Sequence, residues 1–193
     1  MVKSVFSISP VVLLLTLFLA PIQVSAEISA PFELPKPGVI FEYDDFKIVF
    51  QNSSDRRFRY SHSNGKSYAT TSLFVVDPKS GANVSGEQEV HNKLWPLKVG
   101  NYIEFDADSH RGRWLFSVKV TGTEKIRLAG KDLETFVIEV DEESTVATYR
   151  KITTKWYSPE LKYIVRSRSK VVEGPYYGRS RNYELIKYSP GNQ

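Results

Sequence analysis

Alternation of apolar and polar residues with a period of two is the feature that most constrains this chain. Segment 114–120 places Trp, Phe, Val and Val at alternate positions, and segment 136–140 repeats the pattern with Phe, Ile and Val. Successive side chains of a β-strand point to opposite faces, so such segments are typical of strands with one buried face. About nine or ten segments of this kind, joined by short turns, predict an all-β, mainly antiparallel fold: a curved sheet, a half-barrel or a barrel.

Turn residues separate these predicted strands. Asp44-Asp45 lies between alternating patterns at 39–43 and 46–50, which predicts a hairpin. Asn64-Gly65 predicts a second hairpin, because both central residues of a type I′ turn adopt positive φ and this pair tolerates it best. The other predicted strands are 56–62, 68–77, 145–156, 163–172 and 182–188, and the last two are expected to pair with each other.

One segment departs from the strand pattern. Ser85-Gly86-Glu87-Gln88 has the spacing of a capping box, with Ser85 as the N-cap and Gln88 three positions later. Val90 and Leu94 follow on one helical face, and Pro96 ends the pattern. The sequence therefore predicts one short helix of about two turns, which is marginal by itself and needs a surface to pack on.

The first 26 residues have the features of a secretory signal. An apolar run at 11–20 is followed by Val24-Ser25-Ala26, the small-x-small pattern that a signal peptidase accepts. Pro10 and Pro21 bound the run, which is short for a membrane span, so a cleaved signal peptide over 1–26 is favoured over a retained anchor. We expect a periplasmic or secreted protein with no transmembrane span after cleavage.

The remaining chain divides into two parts. Residues 27–37 contain Pro31, Pro35 and Pro37, which prevent a helix and predict a loose, extended arm. Residues 38–190 are predicted to form a single β-rich domain, because about 150 residues suffice to bury a core without staples. The chain has no cysteine, which excludes disulfides, zinc–thiolate sites and thiol catalysis.

The sequence shows no catalytic or metal-binding motif. His62, His91 and His110 lack metal-ligand spacing, and neither a nucleophile elbow nor a phosphate-binding glycine loop is present. Asp106, Asp108 and His110 alternate, but a solvated loop is favoured over a weak cation site. We predict no catalytic residues, no metal and no cofactor. A hydrolase of an envelope polymer is kept as the third functional hypothesis, because paired carboxylates can come from distant strands.

Three segments, taken together, carry a resemblance. They are Leu94-Trp95-Pro96-Leu97-Lys98-Val99-Gly100, the run from Ile126 to Ile138, and Trp156-Tyr157-Ser158-Pro159-Glu160-Leu161 with its following strand. In this order they resemble a broad group of secreted bacterial domains of unknown function with LWPLxVG and WYSPEL motifs. The group is related in architecture to periplasmic β half-barrel, lipoprotein-carrier-like proteins. The resemblance implies a half-barrel that binds apolar or lipidated cargo. Many members have glycine after the PEL sequence, where this chain has Lys162.

Aromatic residues provide the candidate ligand site. They make up 13% of the chain, and some exceed what a core needs. The leading hypothesis is a non-enzymatic protein that holds an apolar or amphipathic ligand, or a partner segment, in a curved sheet. The candidate ligand-binding residues are Trp95, Trp114, Trp156 and Tyr157. A purely structural role is the favoured alternative for Trp95 and Trp156, because large aromatic residues usually serve cores.

Basic residues near the C-terminus provide a second candidate surface. Arg166, Arg168 and Lys170 alternate along one predicted strand face, and Arg179 and Arg181 precede the next strand. The second hypothesis is therefore a cell-envelope interaction module that contacts lipid, glycan or protein. A solvated face that protects a sheet edge is the favoured alternative. Nucleic acid is not expected as a partner, because loss of one lysine with the signal leaves 25 basic against 22 acidic residues, a net charge of +3.

Overall fold

The computed structural model describes residues 28–52, 57–70, 74, 87–109, 112–175 and 182–191. These ranges contain one helix, α1 (Glu87–Leu94), and twelve strands. The strands are β1 (Ser29–Ala30), β2 (Ile40–Tyr43), β3 (Lys47–Phe50), β4 (Phe58–His62), β5 (Ser67–Thr70), β6 (Leu97–Lys98), β7 (Tyr102–Ser109), β8 (Gly112–Leu128), β9 (Lys131–Ser144), β10 (Arg150–Ser158), β11 (Tyr163–Glu173) and β12 (Tyr183–Ser189).

Ten of these strands form one antiparallel sheet. Their order is β5-β4-β3-β2-β12-β11-β10-β9-β8-β7, and the two end strands do not pair with each other among the described residues. Strand β12 pairs with both β11 and β2, so the C-terminal strand joins the N-terminal hairpins to the long meander. Strands β1 and β6 form a separate pair. The prediction of a mainly antiparallel all-β fold with a curved sheet and one short helix is confirmed.

Ring contacts across the sheet demonstrate its curvature. Strands β3 and β11 are three positions apart, which corresponds to about 14 Å in a flat sheet. The rings of Phe50 on β3 and Tyr163 on β11 nevertheless have centroids only 4.9 Å apart. Phe58 on β4, one strand further away, lies 6.0 Å from the same tyrosine. The side chains converge because the sheet bends around them, and aromatic rings fill the concave face.

The predicted hairpins are present. Residues 44–46 connect β2 to β3, and Gly65 has a φ of 80° in the turn between β4 and β5. Asn64 does not have a positive φ, so this hairpin does not contain the type I′ turn that Asn64-Gly65 predicted. Strands β8 and β9 are joined by Ala129 and Gly130 alone, whose φ values of 47° and 86° are both positive. Positive φ at both central residues defines the type I′ turn, whose twist matches the flanking strands.

Three segments outside the ten-stranded sheet lie over its concave face, and we call them the cover: residues 28–37, Phe74 and residues 87–98. Helix α1 buries Val90 and Leu94 completely, as their spacing predicts. In the arm, the ring of Phe32 lies 5.5 Å from Phe58 of β4. The arm is extended and is tied down through β1, which pairs with β6.

A further contact connects the arm to the turn between β10 and β11. The Lys162 ammonium forms an ion pair with Glu33 of the arm. Lys162 lies in the turn between β10 and β11 with a φ of 58°, a conformation that favours glycine. The side chain of Lys162 thus connects this turn to the arm.

Several sequence predictions lie outside the described residues. They are the signal peptide over 1–26, the capping residue Ser85, the loop histidine His110, and the basic residues Arg179 and Arg181. Within the described ranges, α1 is far too short and polar to cross a membrane, and no other helix occurs there.

Candidate ligand site on the concave face

Trp95 is the centre of an aromatic cluster between the cover and the sheet. Its ring lies 5.2 Å from Tyr157 of β10, 5.3 Å from Phe32 of the arm and 5.9 Å from Phe74. His91 of α1 is within 4.2 Å of Phe32. Two of the four predicted ligand residues, Trp95 and Tyr157, are therefore in contact. Phe32 and Phe74, which the sequence argument did not select, complete the cluster.

Strand β10 adds polar groups to this aromatic surface. Thr153, Lys155 and Tyr157 alternate along the strand, and all three side chains face inward. Lys155 is only 6% exposed, and its Nζ donates a hydrogen bond to the carbonyl oxygen of Phe74 at 2.8 Å. A cation this deeply buried is uncommon, because it loses its hydration and must be compensated by nearby dipoles or charges.

The hydroxyl of Tyr157 is a second buried polar group. The residue is 0% exposed, and its hydroxyl has no hydrogen-bond partner among the described residues. Burial and, to a lesser degree, the charge of Glu33 raise the pKa of Tyr157 far above its usual value. The phenol is therefore neutral at physiological pH and offers an O–H donor inside the aromatic cluster.

Neighbouring hydroxyls extend the polar row. Ser167 of β11 is directly opposite Lys155 and is buried. The hydroxyls of Thr153 and Ser169 are 3.0 Å apart across the same two strands. The concave face is thus aromatic at the end that contains Trp95 and carries a row of donors and acceptors along β10 and β11.

A cavity of about 170 Å³ lies beneath the arm. It is lined by Leu34, Pro35, Pro37, Phe50, Gln51, Asn52 and Arg57. Pockets for drug-sized ligands typically measure about 300–1,000 Å³, so this cavity by itself is too small for one. A larger ligand on the concave face would have to replace part of the cover.

The other two predicted ligand residues lie elsewhere. Trp114 of β8 packs edge-on against Tyr149 at 5.6 Å. Trp156 is on the opposite face of β10 from Tyr157, and it is half-buried there rather than enclosed in the core. Its Nε1 donates to Glu124 at 2.7 Å. The Arg166 guanidinium lies 5.4 Å from the centre of its ring, a distance that permits a cation–π interaction.

The basic stripe is on this outer face and is partly neutralised. Arg166 and Arg168 both donate to Glu184 of β12, at 2.6 and 2.7 Å, whereas Lys170 is exposed. Because Glu184 partly neutralises Arg166 and Arg168, this surface attracts anionic partners less strongly than unpaired arginines would. The partner role of these residues stays a prediction.

We expect Glu184→Gln to lower the free energy of unfolding by about 1 kcal/mol or less at pH 7, because the ion pairs are partly exposed. The hydrogen bond from Arg166, assisted by the charges of Arg166 and Arg168, holds the pKa of Glu184 below its usual value. A carboxyl with a lowered pKa stabilises the fold above its unfolded pKa of about 4.3, and this contribution disappears as pH falls through the folded value. Urea titrations from pH 7 to pH 3 should show wild type and variant converging at the acidic end. Glu139→Gln on the same face is the control, and a difference that persists at pH 3 would contradict the pairing.

We expect Tyr157→Phe to raise the free energy of unfolding by about 1 kcal/mol, because it removes a buried hydroxyl that has no hydrogen-bond partner among the described residues while keeping the ring contacts. Thermal unfolding of the two proteins measures this directly. Tyr43→Phe is a matched control, since the Tyr43 hydroxyl donates to the Ile164 carbonyl at 2.6 Å and its loss should destabilise. A destabilised Tyr157→Phe variant would mean that the hydroxyl is hydrogen-bonded in the native protein.

No three His, Asp or Glu side chains within the described ranges come together in a way that would hold a metal ion. Asp106 and Asp108, which the sequence argument placed in a loop, lie in strand β7, and Asp106 forms an ion pair with Arg113 across the β7–β8 hairpin.

The fold and the covered concave face define a class: an open, strongly curved antiparallel sheet with a short helix and an arm on its inner side. A crystal structure of the hypothetical lipoprotein YmcC from Escherichia coli (K12) is similar to this chain, with a TM-score of 0.50 and 14% sequence identity. The match covers 82% of this chain and 89% of YmcC. At this identity the likeness shows the fold alone. No protein-family model matches the sequence, and no curated protein matches it.

Proposed function

We propose that this protein is a non-enzymatic binding protein of the cell envelope, periplasmic or secreted, that holds an apolar or amphipathic ligand on its concave face. One observation carries the proposal: buried polar groups, Lys155 and Tyr157, lie inside an aromatic concave surface that is closed by segments outside the main sheet. Ligand sites combine a mostly apolar lining with a few such polar groups.

The cover has the properties of a displaceable element. Among the described residues, its strand pairing is limited to the two-residue contact between β1 and β6, which belongs to the cover itself. Its described contacts with the sheet are side-chain contacts such as those of Phe32, Trp95 and Lys162, together with the hydrogen bond from Lys155 to the Phe74 carbonyl. Moving the cover therefore breaks no hydrogen bond of the ten-stranded ladder, and segments with few backbone bonds to the rest open at the lowest free-energy cost.

An apolar ligand would offset the free-energy cost of exposing apolar surface when the cover is displaced. Without the cover, the rings of Phe58, Tyr157 and their neighbours would face water, which costs about 25 cal/mol per Å² of apolar area. A ligand chain in the same place buries that area again. The resemblance of the LWPLxVG and WYSPEL segments to periplasmic half-barrel domains supports this class of ligand, and the similar fold of a lipoprotein supports an envelope location.

Titration with N-phenyl-1-naphthylamine, an uncharged apolar fluorophore, tests the proposal. We expect saturable binding by the exported protein with a Kd in the micromolar range, about −8 kcal/mol. Phe32→Ala, which weakens the hold of the arm on Trp95 and Phe58, should bind the fluorophore more tightly, because less cover must be displaced.

Leu115→Ala is the control, because Leu115 is an exposed apolar residue on the outer face. It should bind as wild type does. Absence of saturable binding by both wild type and Phe32→Ala would reject the proposal. Native mass spectrometry of protein purified from its own source is an independent check, since a retained ligand adds mass.

A further inference from the structure

We propose that the outer face of the ten-stranded sheet is an interface with a second copy of this chain. In this dimer the basic stripe of β11 lies on carboxylates of β9 in the other copy, and the contact occurs twice about a two-fold axis that runs along β10. The inference concerns a different surface from the proposed ligand site and does not depend on it.

Strand β9 carries a row of carboxylates on the outer face, which we call the acidic row: Glu139, Asp141 and Glu143. They alternate with Ile138 and Val140, which are buried on the inner side. Asp141 binds Arg150, whereas the exposed Glu139 and Glu143 form no ion pair with any described residue. Lys119 of β8 is opposite Glu139 in register, but the two do not form an ion pair. The acidic row therefore has carboxylates available to another cation.

The basic stripe supplies a matching cation. Arg166 and Arg168 are already bound to Glu184. Lys170, at the other end of the stripe, is exposed and forms no ion pair within the described part of the chain. Its long side chain can therefore reach a carboxylate that belongs to another molecule.

Strand register places the acidic row and the basic stripe symmetrically about β10. Thr154 of β10 is directly opposite Glu139 on one side and Arg168 on the other. Ile152 is likewise opposite both Asp141 and Lys170. Neighbouring strands are about 5 Å apart, so acids and bases lie at equal distances from β10, on opposite sides and at the same levels along the strand.

A two-fold axis parallel to β10 turns this arrangement into charge complementarity. Half a turn about such an axis exchanges the two sides of β10 and keeps the level along it, so β11 of the second copy lies over β9 of the first. Lys170 of the second copy then faces Asp141, with Glu139 and Glu143 on either side, and the same contact recurs at the symmetry-related position. An axis across the strands would instead place β9 on β9 and bring like charges together, which is unfavourable.

The shape of the outer face sets the strength of this contact. Thr154 and Ile152 lie at its centre, where uncharged and half-buried side chains permit close approach. The face is convex, so two copies touch only near β10, and interfaces below about 1,200 Å² are typical of weak associations. We therefore expect a weak dimer that depends on salt. Its two concave faces point away from each other and stay accessible.

Sedimentation velocity of the full exported protein over a concentration series tests the inference. We expect a dimer with a Kd of about 100 μM or less in about 50 mM NaCl, and association about tenfold or more weaker in about 500 mM NaCl, because salt screens exposed charges. A wild type that stays monomeric well above that concentration in low salt, or a dimer that is equally stable at both salt concentrations, would overturn the inference.

Two variants with reversed charges test which residues meet. Lys170→Glu places acids opposite acids, and the double substitution Glu139→Lys/Glu143→Lys places bases opposite Lys170, so each variant alone should be monomeric. A mixture of the two should dimerise as wild type does, because each contact then joins opposite charges. Lys66→Glu, which reverses an exposed lysine in the β4–β5 turn, is the matched control for the change in net charge and should dimerise like wild type.

The mixture distinguishes a specific contact from a general effect of charge. Dimerisation of Lys170→Glu alone, loss of the dimer in Lys66→Glu, or failure of the two monomeric variants to associate when mixed would each overturn the assignment. Circular dichroism establishes that each variant is folded. If the double substitution does not fold, the comparison of Lys170→Glu with Lys66→Glu decides. Each of these results leaves the proposed function intact, because the substituted residues lie away from the concave face.

Discussion

We expect Phe41→Ala to lower the free energy of unfolding by about 3–5 kcal/mol, as for large aromatic residues deleted from cores. Phe41 is 0% exposed and lies on β2, the strand that joins the N-terminal hairpins to β12. Its ring is 5.0 Å from Tyr163 and 5.5 Å from both Phe50 and Tyr188. The substitution leaves a cavity where rings from both parts of the sheet meet, and a close-packed interior relaxes only partly to fill it.

Urea denaturation monitored by circular dichroism measures the effect. Leu115→Ala is the control, because Leu115 is 48% exposed on the outer face and its truncation should cost less than about 1 kcal/mol. Two separate unfolding transitions in Phe41→Ala would show that the N-terminal hairpins fold apart from the meander. A loss as small as that of the control would contradict the position of Phe41 at the junction.

Gly174→Ala is expected to lower the free energy of unfolding by about 2–4 kcal/mol. Gly174 follows β11 with a φ of 85°, and a Cβ at this position would lie 1.9 Å from the carbonyl oxygen of Thr148. The methyl group meets backbone rather than a flexible side chain, so the loop over 145–149 between β9 and β10 has to move. The left-handed conformation adds about 1–2 kcal/mol for any residue other than glycine.

Gly65→Ala separates these two contributions. Gly65 has a similar φ of 80°, but a Cβ there would meet nothing within 4 Å. Its substitution should therefore cost only the conformational term, about 1–2 kcal/mol. Chemical denaturation of both variants gives the comparison. Equal losses would show that Thr148 is not in contact with Gly174 in solution.

Local patterns were sufficient to predict most elements of this fold. Alternation identified β8 and β9, turn residues identified the β2–β3 and β4–β5 hairpins, and the spacing of Val90 and Leu94 identified the buried face of α1. The positions of the strand ends were predicted less accurately. The predicted strand over 145–156 begins only at Arg150, because residues 145–149 form the loop that connects β9 to β10.

The candidate site was predicted only in part. Trp156 and Tyr157 are adjacent in a strand and so face opposite sides. Only one of the two side chains can therefore lie on the concave face. Both are large aromatic residues, and the local pattern does not reveal which one faces inward. The inward face of β10 is defined by its neighbours across the sheet, and this same parity brings Lys155, which sequence reasoning missed, beside Tyr157.

The sequence by itself determined the type and approximate position of the strands and the helix, because these depend on residues that are neighbours in the chain. Only the tertiary structure decided how the proline-rich arm is used. Proline spacing predicts extended chain and nothing about its destination, whereas Phe32 meets Trp95 and Glu33 meets Lys162 across long separations in sequence. The buried environment of Lys155 arises in the same way, since its partner Phe74 reaches it only after the sheet has curved and the cover has closed over it.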